Sequence, residues 1–116
     1  MKTLRLIVAI VIVVFLQSCH EPGNIKVQNN ITKVKIEDVK WGDNYLAYEL
    51  LPGETSEETT IRRDDESLPA SHKLSFKMTA NDKTIYLETE EEYILEEEGS
   101  LFIILTDTTK VKNPNE

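Results

Sequence analysis

Histidine and serine are the residues of this sequence that could combine into a hydrolytic site, and the histidines are few. The chain has two of them, His20 and His72, and Ser71 and Ser75 flank the second. A serine nucleophile needs a general base beside it and a third group that orients the base. The spacing around His72 does not mark such a triad, and a solvent-exposed histidine near the start of a strand is the simpler interpretation. We therefore expect no catalytic residues and no enzymatic activity.

Acidic residues are the second group that could do chemistry, because carboxylate oxygens are the ligands that calcium prefers. They occur in three runs, Asp64-Asp65-Glu66, Glu90-Glu91-Glu92 and Glu96-Glu97-Glu98. No Asp-x-Asp-x-Asp-Gly loop is present, and consecutive strand residues point to opposite faces, so one run cannot surround one ion. Two histidines and one cysteine fall short of the four ligands of a zinc site. We expect no cofactor and no metal site, with weak calcium binding as the alternative.

The single cysteine, Cys19, follows a segment with the order of a secretory signal. Lys2 and Arg5 precede eleven apolar residues, from Leu6 to Leu16. That run is shorter than the roughly twenty residues that span a bilayer and fits the about seven to fifteen of a cleaved signal. An unpaired cysteine in an exported protein needs a chemical explanation.

The tetrapeptide Leu16-Gln17-Ser18-Cys19 resembles the lipobox of bacterial lipoproteins, in which a leucine lies three residues before an invariant cysteine and a small residue directly precedes it. Gln17 departs from the commonest form, which has a small or branched residue there. The resemblance implies cleavage between Ser18 and Cys19, a diacylglyceryl thioether on the Cys19 sulfur, and an acyl chain such as palmitate on the new amino terminus. Two or more chains anchor a protein stably. The alternative is a free thiol behind an ordinary signal peptide or an uncleaved signal anchor.

The size and charge of the mature chain limit its organisation and its partners. Removing residues 1–18 from 116 would leave 98, enough for one domain without a disulfide. The formal net charge would move from −8 to about −10, which excludes nucleic acid as a partner. We expect a lipidated N-terminus and tether over residues 19–30, a single β domain over residues 31–112, and a tail over residues 113–116. Ile25 and Val27 could instead form an edge strand.

Apolar residues beyond position 30 recur at every second position and are largely β-branched or aromatic, which is typical of strands. The first predicted hairpin joins residues 34–41 to residues 46–50 across Gly42-Asp43-Asn44. The apolar positions of its first strand change from even to odd, which a β-bulge near Glu37-Asp38 would explain. One short strand is expected at Thr59–Ile61.

Two further hairpins are predicted downstream. One joins residues 74–78 to residues 85–87 across Asn81-Asp82, a pair suited to a tight turn with positive φ. The other joins residues 93–95 to residues 101–105, which are apolar at every position and are therefore expected to form a central strand. Phe76, Leu87 and Ile103 are expected in the core. A helix over residues 88–98 is the alternative, although its apolar residues do not recur at helical spacing.

Six or seven short strands separated by turns predict an all-β fold, a small antiparallel β-sandwich, with a small barrel as the alternative. The segments Asn29-Asn30-Ile31, Val39-Lys40-Trp41-Gly42, Leu51 to Ser56, and Thr106 to Thr109 with Val111 are similar to small lipoproteins of unknown function from Bacteroidota. This resemblance implies a compact β domain behind a lipid anchor and transfers no catalytic residue.

The functional expectation is a lipid-anchored, non-enzymatic domain of the cell envelope, at the outer membrane on its periplasmic or surface side. Its partners would be the membrane, through the lipid on Cys19, and another envelope protein. The alternative is an inhibitor of an envelope enzyme or a ligand-binding module. For that alternative the candidate contact residues are Tyr45, Tyr48, Tyr86 and Tyr93, provided that several lie exposed on one face.

Overall fold

The computed structural model describes residues 21–115, so the predicted signal segment, Ser18, Cys19 and His20 lie outside the described residues. The strands are β1 (Gly23–Asn30), β2 (Lys35–Trp41), β3 (Asn44–Leu50), β4 (Thr59–Ile61), β5 (Ala70–Ala80), β6 (Lys83–Leu95), β7 (Ser100–Thr106) and β8 (Val111–Lys112). Within residues 21–115 there is no helix of the length and apolar character needed to cross a bilayer.

The eight strands form two sheets that pack against each other. The smaller sheet has the order β4-β1-β7, and the larger has the order β3-β2-β5-β6-β8. Side chains from both sheets form one core, made of Ile25, Val27, Ile61, Ile103 and Leu105 from the smaller sheet and Ile36, Val39, Trp41, Leu46, Leu50, Leu74, Phe76, Leu87 and Leu95 from the larger. The predicted all-β sandwich is therefore confirmed, with eight strands in residues 21–115 rather than the six or seven expected.

The first predicted hairpin is confirmed, including its bulge. Strands β2 and β3 pair antiparallel across a turn in which Gly42 has a φ of 60°. The pairing of β2 with β5 shifts between Glu37 and Lys40, where Asp38 has a φ of 49°. The extra residue changes the parity of the strand, so the apolar residues on both sides of the bulge point inward.

The hairpin of β5 and β6 is also confirmed. Asn81 and Asp82 connect the strands with φ values of 54° and 65°, the left-handed pair that a type I′ turn requires. Phe76, Leu87 and Ile103 are all buried, as predicted. Strand β6 continues to Leu95, so residues 88–95 are extended rather than helical.

The third predicted hairpin is wrong. After β6 the chain crosses to the smaller sheet, where β7 pairs in parallel with β1. This pair is the exception to an otherwise antiparallel arrangement of the described strands. The prediction of a central strand is also wrong, because β7 lies at an edge with Phe102 and Ile104 exposed. Strand β7 therefore has apolar residues on both faces although only one of its faces is buried.

The predicted tether is wrong from Gly23 onward. Residues 23–30 form β1, which lies between β4 and β7 and is the central strand of its sheet rather than an edge. Its inward face contains only Gly23, Ile25, Val27 and Asn29, and its outward face is polar, so the segment resembles a linker in composition. The domain therefore begins at Gly23 rather than at residue 31.

Candidate functional site

Three of the four candidate tyrosines lie exposed on the larger sheet. The exposed fractions are 37% for Tyr45, 79% for Tyr48 and 38% for Tyr86. Tyr86 is the register partner of Lys77, and directly opposed residues of an antiparallel pair share a face. The group formed by these tyrosines with Asp38, Lys40 and Lys77 is called the tyrosine surface below.

Asp38 is at the centre of the tyrosine surface because the β2 bulge turns it there. Its carboxylate accepts a hydrogen bond from the Tyr45 hydroxyl and lies 3.0 Å from the Lys77 ammonium. The hydrogen bond from Tyr45, and then that from Lys77, lowers the pKa of Asp38. The same bond to Asp38 raises the pKa of Tyr45 to about 12. At neutral pH the ionised Asp38 carboxylate therefore accepts a hydrogen bond from the neutral Tyr45 hydroxyl, and the Lys77 ammonium lies beside them.

The aromatic rings of the tyrosine surface are held by packing as well as by hydrogen bonds. The ring centroids of Tyr45 and Tyr48 are 4.7 Å apart, at an angle of 44°. The Lys40 ammonium lies 5.6 Å from the centroid of Tyr45, within the range of a cation–π contact. The surface therefore offers apolar ring faces, hydroxyl groups and charges of both signs on four neighbouring strands of the larger sheet.

Tyr93 does not belong to the tyrosine surface. It is partly buried against the core, and burial raises the pKa of its hydroxyl. Its backbone carbonyl accepts a hydrogen bond from the indole N–H of Trp41 at 3.0 Å. This bond links β2 to β6, the two strands that flank β5 in the larger sheet.

His72 is partly buried, which contradicts its predicted exposure. Its ring lies edge-on to Trp41, with centroids 4.8 Å apart, and its Nε2 contacts the Glu66 carboxylate. Ser71 and Ser75 lie one and three residues away along β5, so they project from the opposite face of the strand. Neither serine is placed for His72 to act on it as a base, and the His72–Glu66 pair attaches the loop before β5 to the larger sheet.

The three acidic runs take separate structural roles. Asp65 accepts a hydrogen bond from the backbone N–H of Arg62 at 3.0 Å and closes a turn. Glu66 accepts one from the Asn44 side chain, also at 3.0 Å. Residues 90–92 are exposed in β6, and the carbonyl of Glu96 accepts the N–H of Gly99 in the turn before β7. Between residues 21 and 115, no three histidine, cysteine, aspartate or glutamate side chains are placed to hold a metal ion together.

An apolar cavity of about 170 Å³ opens at one end of the sandwich. Phe76, Met78 and Leu87 contribute to its lining. Sites for drug-sized ligands usually have about 300–1,000 Å³. This cavity is too small for such a ligand.

The sequence indicates the tyrosines of this surface as candidates, but it does not indicate Asp38, Lys40 or Lys77. The change of parity at Glu37-Asp38 was the available signal for Asp38, because a bulge redirects the side chain at which it occurs. The position of Lys77 beside Asp38 depends on the register between β2 and β5, which are 29 residues apart at their closest ends. The sequence pattern of a single strand does not specify its register with another strand.

Comparison of the chain with protein families, curated proteins and solved structures found no match.

Proposed function

We propose that this protein is a lipid-anchored lipoprotein of the cell envelope whose β domain binds another envelope protein through the tyrosine surface, without catalysing a reaction. The observation that carries the proposal is the clustering of Tyr45, Tyr48 and Tyr86 on one face of the larger sheet. Tyrosine is enriched at protein interfaces because it combines a large apolar ring with a hydroxyl that can hydrogen-bond.

The preorganisation of the tyrosine surface favours binding. The Asp38 carboxylate and the Tyr48 ring hold Tyr45 in one place before any partner arrives. Side chains that are already ordered lose less conformational entropy on association, which otherwise costs about 0.5–1.5 kcal/mol for each immobilised side chain. Tyrosines in such a setting are frequent binding hot spots.

The short sequence between Cys19 and β1 supports a domain close to the proposed anchor. Only His20, Glu21 and Pro22 separate Cys19 from Gly23, the first residue of β1. A chain extends at most about 3.3–3.6 Å per residue, so the four steps from Cys19 to Gly23 span at most about 13–14 Å. A partner of the tyrosine surface would therefore lie at the membrane surface.

Acyl labelling of a Cys19→Ala variant tests the anchor. Cells that produce the wild-type protein or the variant are grown with a clickable fatty acid, and the purified proteins are analysed by mass spectrometry. We expect acyl chains on the wild type and none on the variant, because the Cys19 thiol is the attachment point implied by the lipobox resemblance. Equal acyl incorporation in the two proteins would refute the anchor.

Site-specific crosslinking tests the binding surface. A photoreactive amino acid is placed at Tyr48 or, as a matched control, at Glu58, which is exposed beside β4 of the other sheet. We expect a discrete crosslinked product in native membranes from position 48 only, and its loss when Tyr45 and Tyr86 are both changed to serine. Equal yields from positions 48 and 58 would contradict the proposal. If the crosslinked partner is an enzyme that the domain inhibits, the inhibitor alternative is favoured.

A further inference from the structure

The outer edge of β7 is a long strand edge without a partner strand. Its seven residues pair with β1 without interruption, from Asn24 with Ser100 to Asn30 with Thr106. On its other side β7 pairs with no strand of residues 21–115. Such an edge presents a row of unpaired backbone N–H and C=O groups, to which another extended chain can add.

The β7 edge lacks the features that usually protect a strand edge. Proteins protect edges with very short strands, charged side chains, prolines or bulges. The edge strands β4 and β8 are only three and two residues long, and β3 contains a charged residue, Glu49, and an irregular register with β2. By contrast, the sequence of β7 is Ser-Leu-Phe-Ile-Ile-Leu-Thr, without charge or proline, and its register is regular.

The surroundings of the β7 edge combine exposed apolar side chains with acidic groups. Phe102 and Ile104 project outward with 52% and 48% of their surface exposed. Ile104 also lines a cleft of about 680 Å³ together with Glu90 and Glu91 of β6. Three further glutamates, residues 96–98, are exposed in the turn that leads into β7. Lys110 is the cation on the cleft wall, so acidic groups predominate around this edge.

We propose that the β7 edge binds an extended basic segment of a partner protein as an added strand, with apolar and basic residues alternating along that segment. The alternation follows from the geometry of a strand, whose successive side chains point to opposite faces. Its apolar residues pack beside Phe102 and Ile104, and its lysines or arginines face the acidic groups of the cleft. This proposal is independent of the tyrosine surface, which lies on the other sheet.

Charge favours a basic segment over a second copy of this chain. Two copies joined edge to edge would bring the same glutamates together, and each mature chain would have a net charge of about −10. A seven-residue edge also contributes only part of the roughly 1,000 Å² that a specific protein interface buries. A single peptide segment binds through a smaller interface, which the edge and its flanking cleft provide.

A designed peptide of the sequence Lys-Val-Lys-Ile-Lys-Val-Lys-Ile-Lys is the probe for this edge. Its binding to the full-length protein in neutral detergent micelles is measured by fluorescence anisotropy. Two controls are the same pattern with glutamate in place of lysine, and a peptide of the same composition with all lysines before the apolar residues. We expect the alternating basic peptide to bind at least about tenfold more tightly than either control.

Two matched variants and a hydrogen-exchange measurement locate the binding. Ile104→Ser removes an apolar contact at the edge without changing charge and should weaken binding about tenfold. Ile94→Ser makes the same change at an exposed position of the larger sheet and should leave binding within about twofold. The peptide should slow amide exchange in residues 101–105 and leave β3 unaffected.

Three results would overturn the proposal. Equally tight binding of the block peptide would show non-specific charge attraction. Unchanged binding by Ile104→Ser would show that the peptide lies elsewhere. Protection of β7 that rises with protein concentration in the absence of peptide would assign the edge to a second copy of the chain.

Discussion

At the residue scale, Asn29 is a buried polar side chain whose hydrogen bonds connect different parts of the domain. Asn29 is fully buried in β1, and its side-chain amide donates to the carbonyls of Val34 at 2.7 Å and Leu50 at 2.9 Å. Its side-chain oxygen accepts the N–H of Ile31 at 3.1 Å. One side chain thus links β1 of the smaller sheet to β3 of the larger and to the loop between β1 and β2.

Replacing Asn29 with alanine should destabilise the domain by at least about 1–3 kcal/mol, because buried carbonyls lose their donors. The matched control is Asn30→Ala, since Asn30 is the exposed neighbour and should change the free energy of unfolding by no more than about 0.5 kcal/mol. Urea unfolding of the two variants measures the difference. Similar midpoints for both variants would argue against this role of Asn29.

The Asp38–Tyr45 pair predicts a late tyrosine titration. The folded-state pKa of Tyr45 is raised from 10.0 to about 12, so its contribution to stability is complete below pH 10 and is lost as the pH rises towards 12. Phenolate absorbance of the folded protein should contain a component near pH 12 that Tyr45→Phe removes. Asp38→Asn should move this component towards pH 10, because the acceptor charge is gone.

Tyr48→Phe is the control for this titration, since it removes a neighbouring exposed tyrosine but leaves the bond to Asp38 intact. Circular dichroism of the same samples shows whether the domain stays folded. The pKa of Tyr93 is also raised, so a late component of unchanged amplitude in Tyr45→Phe is the result that would contradict the assignment.

At the element scale, the β5–β6 hairpin is the unit that organises the larger sheet. Strand β5 pairs with β2 on one side and with β6 on the other. At the irregularity between Lys73 and Ser75, the buried Thr89 hydroxyl accepts the N–H of Leu74 at 3.0 Å and donates to the carbonyl of Glu91 at 2.8 Å. Side-chain hydrogen bonds thus satisfy backbone groups where the ladder is interrupted.

Truncation of Phe76 tests the core of this element. Phe76 is fully buried in β5, so Phe76→Ala should cost about 3–5 kcal/mol, a large part of the 5–15 kcal/mol that is typical for a domain. Phe102→Ala removes the same atoms from the exposed edge of β7 and should cost far less. Thermal unfolding compares them, and a midpoint for Phe76→Ala within a couple of degrees of the wild type would contradict this placement.

At the scale of the whole molecule, the acidic groups of residues 21–115 are spread over several turns and strands, and no three of them are placed to hold a metal ion together. The acids of residues 64–66 act in turns and side-chain pairs, whereas those of residues 90–92 are exposed along β6. Cations should be attracted to this surface diffusely. Such attraction is screened at about 0.15 M salt, where the Debye length is about 8 Å.

Calorimetry with calcium tests this distribution of charge. We expect no saturable site tighter than about millimolar, and any heat of binding should decline as sodium chloride is added. The control is a variant with Glu90, Glu91 and Glu92 changed to glutamine, because these three consecutive glutamates form the acidic run within β6. A stoichiometric micromolar site that resists salt would contradict this expectation.

The sequence by itself determined the local elements, because strand alternation and turn chemistry are properties of neighbouring residues. The all-β class, the β5–β6 hairpin at Asn81-Asp82 and the bulge at Asp38 were predictable for this reason. It also indicated which tyrosines were candidates for a binding surface, although not which of them would be exposed.

Only the tertiary structure decided which strands pair across the chain. Strand β7 pairs with β1, whose residues lie 76 positions earlier than their partners. This pairing makes β1 central, leaves β7 at an edge and contradicts both the predicted tether and the third predicted hairpin. The same is true of Lys77 beside Asp38 and of Asn29 between the sheets. Such contacts depend on how the two sheets bury their apolar faces against each other. The free energy of this burial comes from the packing of both sheets and cannot be assigned to one segment of the sequence.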